Sequence, residues 1–182
     1  MKNKRVYLLI ITLLVILANI AADQITKEIA RNTLPGKGAI QVVGDVFILV
    51  YAENEGGFLS LGSSMAPSAR KILLTYLPVL IMAGMLIYLF YMVATRKENE
   101  AENKMPLRQL ICIAVILGGG ISNLIDRFAY NGHVTDFMNF GIGGLRTGIL
   151  NVADLSITFG AILMLLLSPS TKKAKTKDSE PS

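Results

Sequence analysis

The sequence is poor in the residues that most catalytic and nucleic-acid chemistries require. It has one cysteine, Cys112, and one histidine, His133, in 182 residues. A lone cysteine excludes an internal disulfide, and one Cys with one His leaves no zinc set. Cys112 reads as a small packing residue. His133 reads as interfacial structure rather than a base. Gly-x-Ser-x-Gly and His-Glu-x-x-His are absent, as is any Ser/Lys pairing suited to nucleophilic chemistry. No metal and no cofactor is expected. The net charge is +5, but basic residues are not interleaved with aromatics, so nucleic acid is not an expected partner. Charge is also nearly missing from four windows: 6–22, 72–94, 107–125 and 149–167.

Those windows define the class. Each is about 17–23 residues, the length a helix needs to cross roughly 30 Å of hydrocarbon. Buried helices of a soluble bundle would show a polar face recurring every third or fourth residue. Neither 6–17 nor 72–94 has one. The sequence therefore predicts a membrane all-α protein with four transmembrane helices and a small β element. Eleven of the 18 Lys and Arg residues lie in three segments on one side of that arrangement. They are Lys2, Lys4 and Arg5, then Arg96, Lys97, Lys104 and Arg108, then Lys172, Lys173, Lys175 and Lys177. Such residues mark the cytoplasmic side. Both termini are expected there, with 23–71 and 126–148 outside. A cleaved signal peptide is the alternative for the N-terminus. The apolar stretch is long for that role, and the polar cluster at its end fits the site described next.

In chain order, Asp23 and Lys27 stand four apart if the first helix continues a turn, as a helix-end ion pair or as one wall of a site. Pro35-Gly36-Lys37-Gly38 is a turn, and 40–43 with 46–51, split by Gly44-Asp45, is a short hairpin. Asn54-Glu55-Gly56-Gly57 reads as a turn whose glycines also permit close backbone approach. The second span carries no charge, and Arg70 and Lys71 sit at its outer end. Gly118-Gly119-Gly120 costs helix stability but allows close helix contact. Asn123 and Asp126 share a helical face, as do Asn151 and Asp154, each pair three apart. Arg127 is placed to pair with a carboxylate bidentately. Tyr130-Asn131-Gly132-His133 is a turn, and 137–142 is expected at the interface. The tail, 169–182, is expected to be a disordered, basic, cytoplasmic segment. Residues 1–168 form one domain, with an outer β-containing loop at about 34–61.

Orientation gathers the polar groups. Asp23 ends the first span, Asn123 to Arg127 end the third, Asn151 to Asp154 begin the fourth, and Asp136 lies between the last two. All fall at one depth on the outer side. Polar groups beside hydrocarbon are costly, roughly a few kcal/mol for each unpaired one, so an intramembrane functional site is the default reading. Two close carboxylates in a low dielectric share a proton, one acting as base toward water and the other as acid toward a carbonyl. That is aspartic peptide hydrolysis. Spacing alone does not say which two of the acids pair. A small proton-coupled transporter or channel is the alternative. It would distribute polar residues through the full membrane depth, and the second span lacks them. A structural assembly protein would pair its acids with bases, yet Asp136 and Asp154 have no Lys or Arg at helix spacing.

At these residues the chain resembles the bacterial lipoprotein signal peptidases, also called signal peptidase II. The resemblance rests on Asp23-Gln24-Ile25-Thr26-Lys27, Asn54-Glu55-Gly56, Gly118-Gly119 through Ser122-Asn123-Leu124-Ile125-Asp126-Arg127, Val134-Thr135-Asp136-Phe137 and Asn151-Val152-Ala153-Asp154. It implies that Asp136 and Asp154 are the catalytic dyad. It implies that Asp23, Lys27, Asn54, Gly56, Asn123, Asp126, Arg127 and Asn151 shape or support the site. It also implies an outer β-cradle, a short surface helix, and removal of signal peptides from diacylglyceryl-modified prolipoproteins just before the lipidated cysteine. The implied setting is the bacterial cytoplasmic membrane, with the site toward its outer face, membrane lipids around it and a monomeric enzyme. Two departures stand out. Ser122 replaces the family's usual Gly, and Gly57-Phe58-Leu59 varies the pattern after Asn54. Both are expected to affect only local loop packing.

Overall fold

The computed structural model describes residues 2–56, 65–97 and 106–167. The first helix, α1, runs Lys2–Thr33. It continues well past the end of its apolar window, because its inward face stays continuous. Leu8, Thr12, Ile16, Asp23, Lys27 and Ala30 are all buried along it, at helical spacing. Two strands follow, β1 (Ile40–Val43) and β2 (Phe47–Asn54), paired antiparallel as the hairpin reading expects. A short helix, α2 (Pro67–Lys71), leads through a π-helical turn (Ile72–Tyr76) into α3 (Leu77–Ala94). Next come α4 (Leu107–Ala129), β3 (Val134–Ile142), β4 (Leu145–Arg146) and α5 (Val152–Leu166). Gly57-Phe58-Leu59, Lys104 and the tail 169–182 lie outside the described residues.

Three helical segments are long and apolar enough to cross a membrane: Lys4–Thr33, Pro67–Ala94 and Leu107–Ala129. The fourth expected span is a shorter apolar helix of 15 residues. It begins at Val152 because Asn151 caps it. Asn151 Oδ1 accepts from the Asp154 N–H, while Asp154 Oδ2 accepts from the Asn151 N–H. Large apolar residues face outward along these helices, among them Leu14, Leu80, Ile87 and Leu165. Around a soluble protein such a surface would be a liability, whereas in lipid it is the solvated face.

The helix ends confirm alternating directions. Arg5 Nε donates to the Arg96 carbonyl (3.0 Å), joining the start of α1 to the end of α3. Gln109 Nε2 donates to the Leu167 carbonyl (3.0 Å), joining the start of α4 to the end of α5. Helix α4 is central and packs against α1, α3 and α5. Its three consecutive glycines each face a different neighbour. A Cβ at Gly118 would stand 2.7 Å from Asn19 Cβ on α1. One at Gly119 would stand 2.6 Å from the Ala153 carbonyl oxygen on α5, and one at Gly120 would strike Met82 Sδ on α3. Successive residues point about 100° apart, so three in a row open three sides of one helix. Cys112 is buried in the same helix, as its packing role requires.

Above the bundle lies a four-stranded antiparallel sheet in the order β1-β2-β3-β4. The third strand is an addition to the sequence reading, which places 137–142 only at the interface. Its β-branched and aromatic residues, bounded by Asn131-Gly132 and Gly143-Gly144, carry the strand signal. Ala30, Leu34, Phe137 and Met138 form a small core between the last turns of α1 and the sheet. Phe47 stacks on Phe140, with ring centroids 4.7 Å apart.

Replacing Gly119 by Val forces α4 and α5 apart, since the obstructing atom is backbone. We expect a loss of about 1–3 kcal/mol, read as a lower unfolding midpoint in detergent. Gly144→Ala, whose Cβ would meet nothing within 4 Å, leaves the midpoint unchanged.

Candidate active site

Asp136 sits on β3 opposite Ala52 of β2, which brings the end of β2 over it. It is 1% exposed. Its carboxylate is held by two amides: Asn54 Nδ2 donates to Oδ2 (2.7 Å) and Asn151 Nδ2 to Oδ1 (2.7 Å). Asp154 lies in the first turn of α5, where Asn123 Nδ2 donates to its Oδ1 (2.9 Å) and the Asn151 N–H to its Oδ2 (3.2 Å). Asn151 thus touches both acids, one through its side chain and one through its backbone. Asn151 Nδ2 also donates to Asn123 Oδ1 (3.2 Å), so the two asparagines are joined to each other.

Among the described residues, the hydrogen bonds to Asp136 and Asp154 come from amides and none from a Lys or Arg. Amides orient a carboxylate without forcing it to stay ionised, as a close cation would. Burial drives the Asp136 carboxyl upward from 3.8 to about 7, and the neighbouring Asp154 charge adds to this. The Asn54 and Asn151 amides and the Lys27 charge pull the other way without cancelling it.

Both acids line a cavity of about 360 Å³. Asn54, Asn123 and Arg127 supply polar wall, while Leu74, Pro78, Met82 and Ile157 supply the apolar side. An amphiphilic chain lying along the apolar helices would reach the acids from that side.

Behind the cavity lies a second, fully buried set of charges. Lys27 Nζ stands 2.7 Å from Asp23 Oδ2 and 3.2 Å from Asp126 Oδ2, all three side chains being 0% exposed. The same ammonium donates to Asn123 Oδ1 (2.8 Å). Asp23 Oδ1 accepts from the Ala153 N–H (2.8 Å), one residue before Asp154. Asp126 Oδ2 accepts from the Thr135 N–H (3.0 Å), one residue before Asp136. Asp23, Lys27 and Asp126 therefore do not line the cavity. They hold the backbone beside each acid and the amide that orients one of them. The i, i+4 pair is a buried hub rather than an interfacial helix-end bridge.

Three expectations change at close range. Arg127 does not make the carboxylate pair anticipated for it; its Nη1 donates to the Gly132 carbonyl (2.6 Å) across the turn where Asn131 and Gly132 take positive φ. That carbonyl is nearer and fixed by the turn. Asn54-Glu55-Gly56 is more than a plain turn, since Asn54 ends β2 and its Oδ1 accepts from the Gly56 N–H (2.9 Å), aiming the amide at Asp136. Ser122 does more than alter local loop packing. It is buried within α4 and its Oγ donates to Asp23 Oδ2 (2.7 Å). Gln24 joins it, with Nε2 donating to Ser122 Oγ (3.0 Å) and Asp126 Oδ1 (2.9 Å). Gln24 and Arg31, which reaches Thr135 Oγ1 (2.9 Å), went unassigned in the sequence. Gln24 stands three residues before Lys27 and Arg31 four after it, and that helical spacing is the available signal. His133 keeps a structural place, 2.8 Å from the Tyr130 carbonyl and from Glu55 Oε1.

Known proteins resemble this chain along most of its length. A lipoprotein signal peptidase from Treponema denticola is 37% identical, the match covering 98% of this chain and all of the relative. One from Chlorobium luteolum is 35% identical over 86% of this chain and 92% of its own. A solved structure of a bacterial membrane enzyme superposes with a TM-score of 0.66 at 25% identity, covering 93% of this chain and 94% of that one. The model of the signal peptidase (SPase) II family matches residues 15–169. With that match spanning most of its length, this chain belongs to the signal peptidase II family of peptidases.

Proposed function

We propose that the protein is an intramembrane aspartic endopeptidase that removes signal peptides from diacylglyceryl-modified prolipoproteins, cutting just before the lipidated cysteine. The observation that carries this is the pair of buried carboxylates, Asp136 and Asp154, tied to one asparagine and open to one amphiphilic cavity. In the reaction, the ionised member of the pair takes a proton from water. The water oxygen bonds to the scissile carbonyl carbon, and the protonated member donates to the carbonyl oxygen. Collapse of the tetrahedral intermediate breaks the C–N bond and sends a proton to the departing amine. Asn54, Asn123 and Asn151 orient the carboxylates. Asp23, Lys27 and Asp126 position the segments that bear them, Gly56 aims Asn54, and Arg127 walls the cavity.

The same reading places four helices across the bacterial cytoplasmic membrane, both termini inside, and the sheet as a cradle on the outer face. The 15-residue α5 rises about 22 Å and covers most of the hydrocarbon depth. The basic ends of α1, α3 and α4 fall together at the opposite end of the bundle from the acids, which supports this orientation. The lipid-modified precursor is the substrate, and a single copy of the chain contains every residue assigned to the site.

Purified protein should cut a lipid-modified precursor and leave the unmodified control intact. Asp154→Asn and Asp136→Asn, still folded, should each lose about 10³-fold or more in kcat, because an amide keeps the shape but moves no proton. Normal turnover by either would end the assignment. A raised Asp136 value means that the protonated form persists up to about 7. As pH rises through that value the pair loses its acid, so kcat/KM should fall about tenfold per pH unit beyond it. A flat profile from pH 6 to 9 would contradict the shared proton. Lys27→Met leaves two buried carboxylates without their common cation, with an expected cost of about 3–5 kcal/mol, seen as a lower unfolding midpoint together with lost cleavage.

A further inference from the structure

A second cavity, of about 670 Å³, adjoins the catalytic one and shares Arg127 as a common wall. Nothing in the proposed hydrolysis uses it. Its cations come from separate elements, Arg70 and Lys71 from α2 and Arg127 from the end of α4, and the His133 imidazole stands with them from the turn before β3. Glu55 is the one carboxylate among the described residues of its lining. That carboxylate serves two partners, pairing with Arg70 and standing 2.8 Å from His133 Nε2. The wall as a whole is therefore positive, with Lys71 outside that pairing. The Lys71 ammonium lies 5.8 Å from the Tyr76 ring centroid, on its face.

The other side of the cavity is apolar and open. Tyr76 is 49% and Phe128 64% exposed, with Ile72 beside them at 56%. The apolar segment Pro67–Ala94 starts here and Leu107–Ala129 ends here, so the cavity straddles the level where hydrocarbon gives way to headgroups. A ligand matching both halves has an anionic head and apolar chains. An acidic peptide would satisfy the charge and leave the aromatic faces bare.

We propose that this cavity binds the phosphate of an anionic phospholipid, with Lys71, Arg70 and His133 around the phosphate and the acyl chains lying along Ile72, Tyr76 and Phe128. Charge complementarity at a membrane surface favours such a head. Because Arg127 lines both cavities, the bound lipid would stand next to the substrate's own acyl chains and help define their berth.

The test is lipid retention by the full chain, measured by native mass spectrometry in a neutral detergent, which does not depend on peptidase activity. Phosphatidylglycerol and phosphatidylcholine with the same acyl chains are titrated in parallel. We expect one phosphatidylglycerol to be held at least fivefold more tightly than phosphatidylcholine. Lys71→Gln should lower that retention about fivefold, while Lys37→Gln, on an exposed turn elsewhere, should not. His133→Gln, on a different element, should reproduce the loss independently of how α2 folds. Equal retention of the two lipids, or wild-type retention by both the Lys71 and His133 variants, would overturn the proposal. So would full displacement of the lipid by millimolar inorganic phosphate, which would mark a free-phosphate site. Displacement by an equimolar oligoglutamate would mark a peptide site and overturn it equally.

Discussion

The structure depends on an ammonium group buried with no access to water. Lys27 is held between Asp23 and Asp126, and its remaining contact is the Asn123 side chain. A lone charge at that depth would be prohibitive, and a lone pair often breaks even at best. Here the surrounding donors complete the shell. Ser122 and the Thr135 N–H share the two oxygens that face Lys27, and the Ala153 N–H and Gln24 take up the other two. The cluster is therefore satisfied only when α1, α4, α5 and the start of β3 are all in place. That makes it a specifier of one arrangement rather than a source of adhesion.

Its position explains how the site can tolerate acids that are not paired with bases. Two kinds of carboxylate stand within one region. Asp23 and Asp126 contact a cation and serve structure. Asp136 and Asp154 contact amides, and burial holds the Asp136 proton up to about 7. The difference lies in geometry, since all four are buried or half-buried aspartates in apolar surroundings. A cation one helical turn closer to the dyad would hold it ionised and remove its acid.

Much of this was legible in the sequence. The apolar windows located four helices, of which the fourth is shorter than its window, the Gly44-Asp45 split gave the first hairpin, and the i, i+3 pairs of Asn123 with Asp126 and Asn151 with Asp154 gave a convergent polar end. The misreadings share a cause. Ser122 reads as a mild packing change because its partner Asp23 is distant in the chain, on another helix. Arg127 read as a carboxylate clamp because the turn that presents the Gly132 carbonyl is set by backbone angles, which spacing does not reveal. Strand β3 was overlooked because it is buried nearly throughout, so the polar–apolar alternation of a half-exposed strand is missing.

What the sequence determined by itself was the helical class and the positions of the apolar helices: length of apolar run and helical spacing are local properties. It also placed the acids at one end of the bundle, since helices of alternating direction have no other way to arrange them. Only the tertiary structure showed which acids meet a cation and which meet amides. That choice rests on which side chains lie across from Lys27 and which across from Asn54, Asn123 and Asn151. Distances between helices fix those neighbours, and three adjacent glycines on α4 set how closely the helices approach.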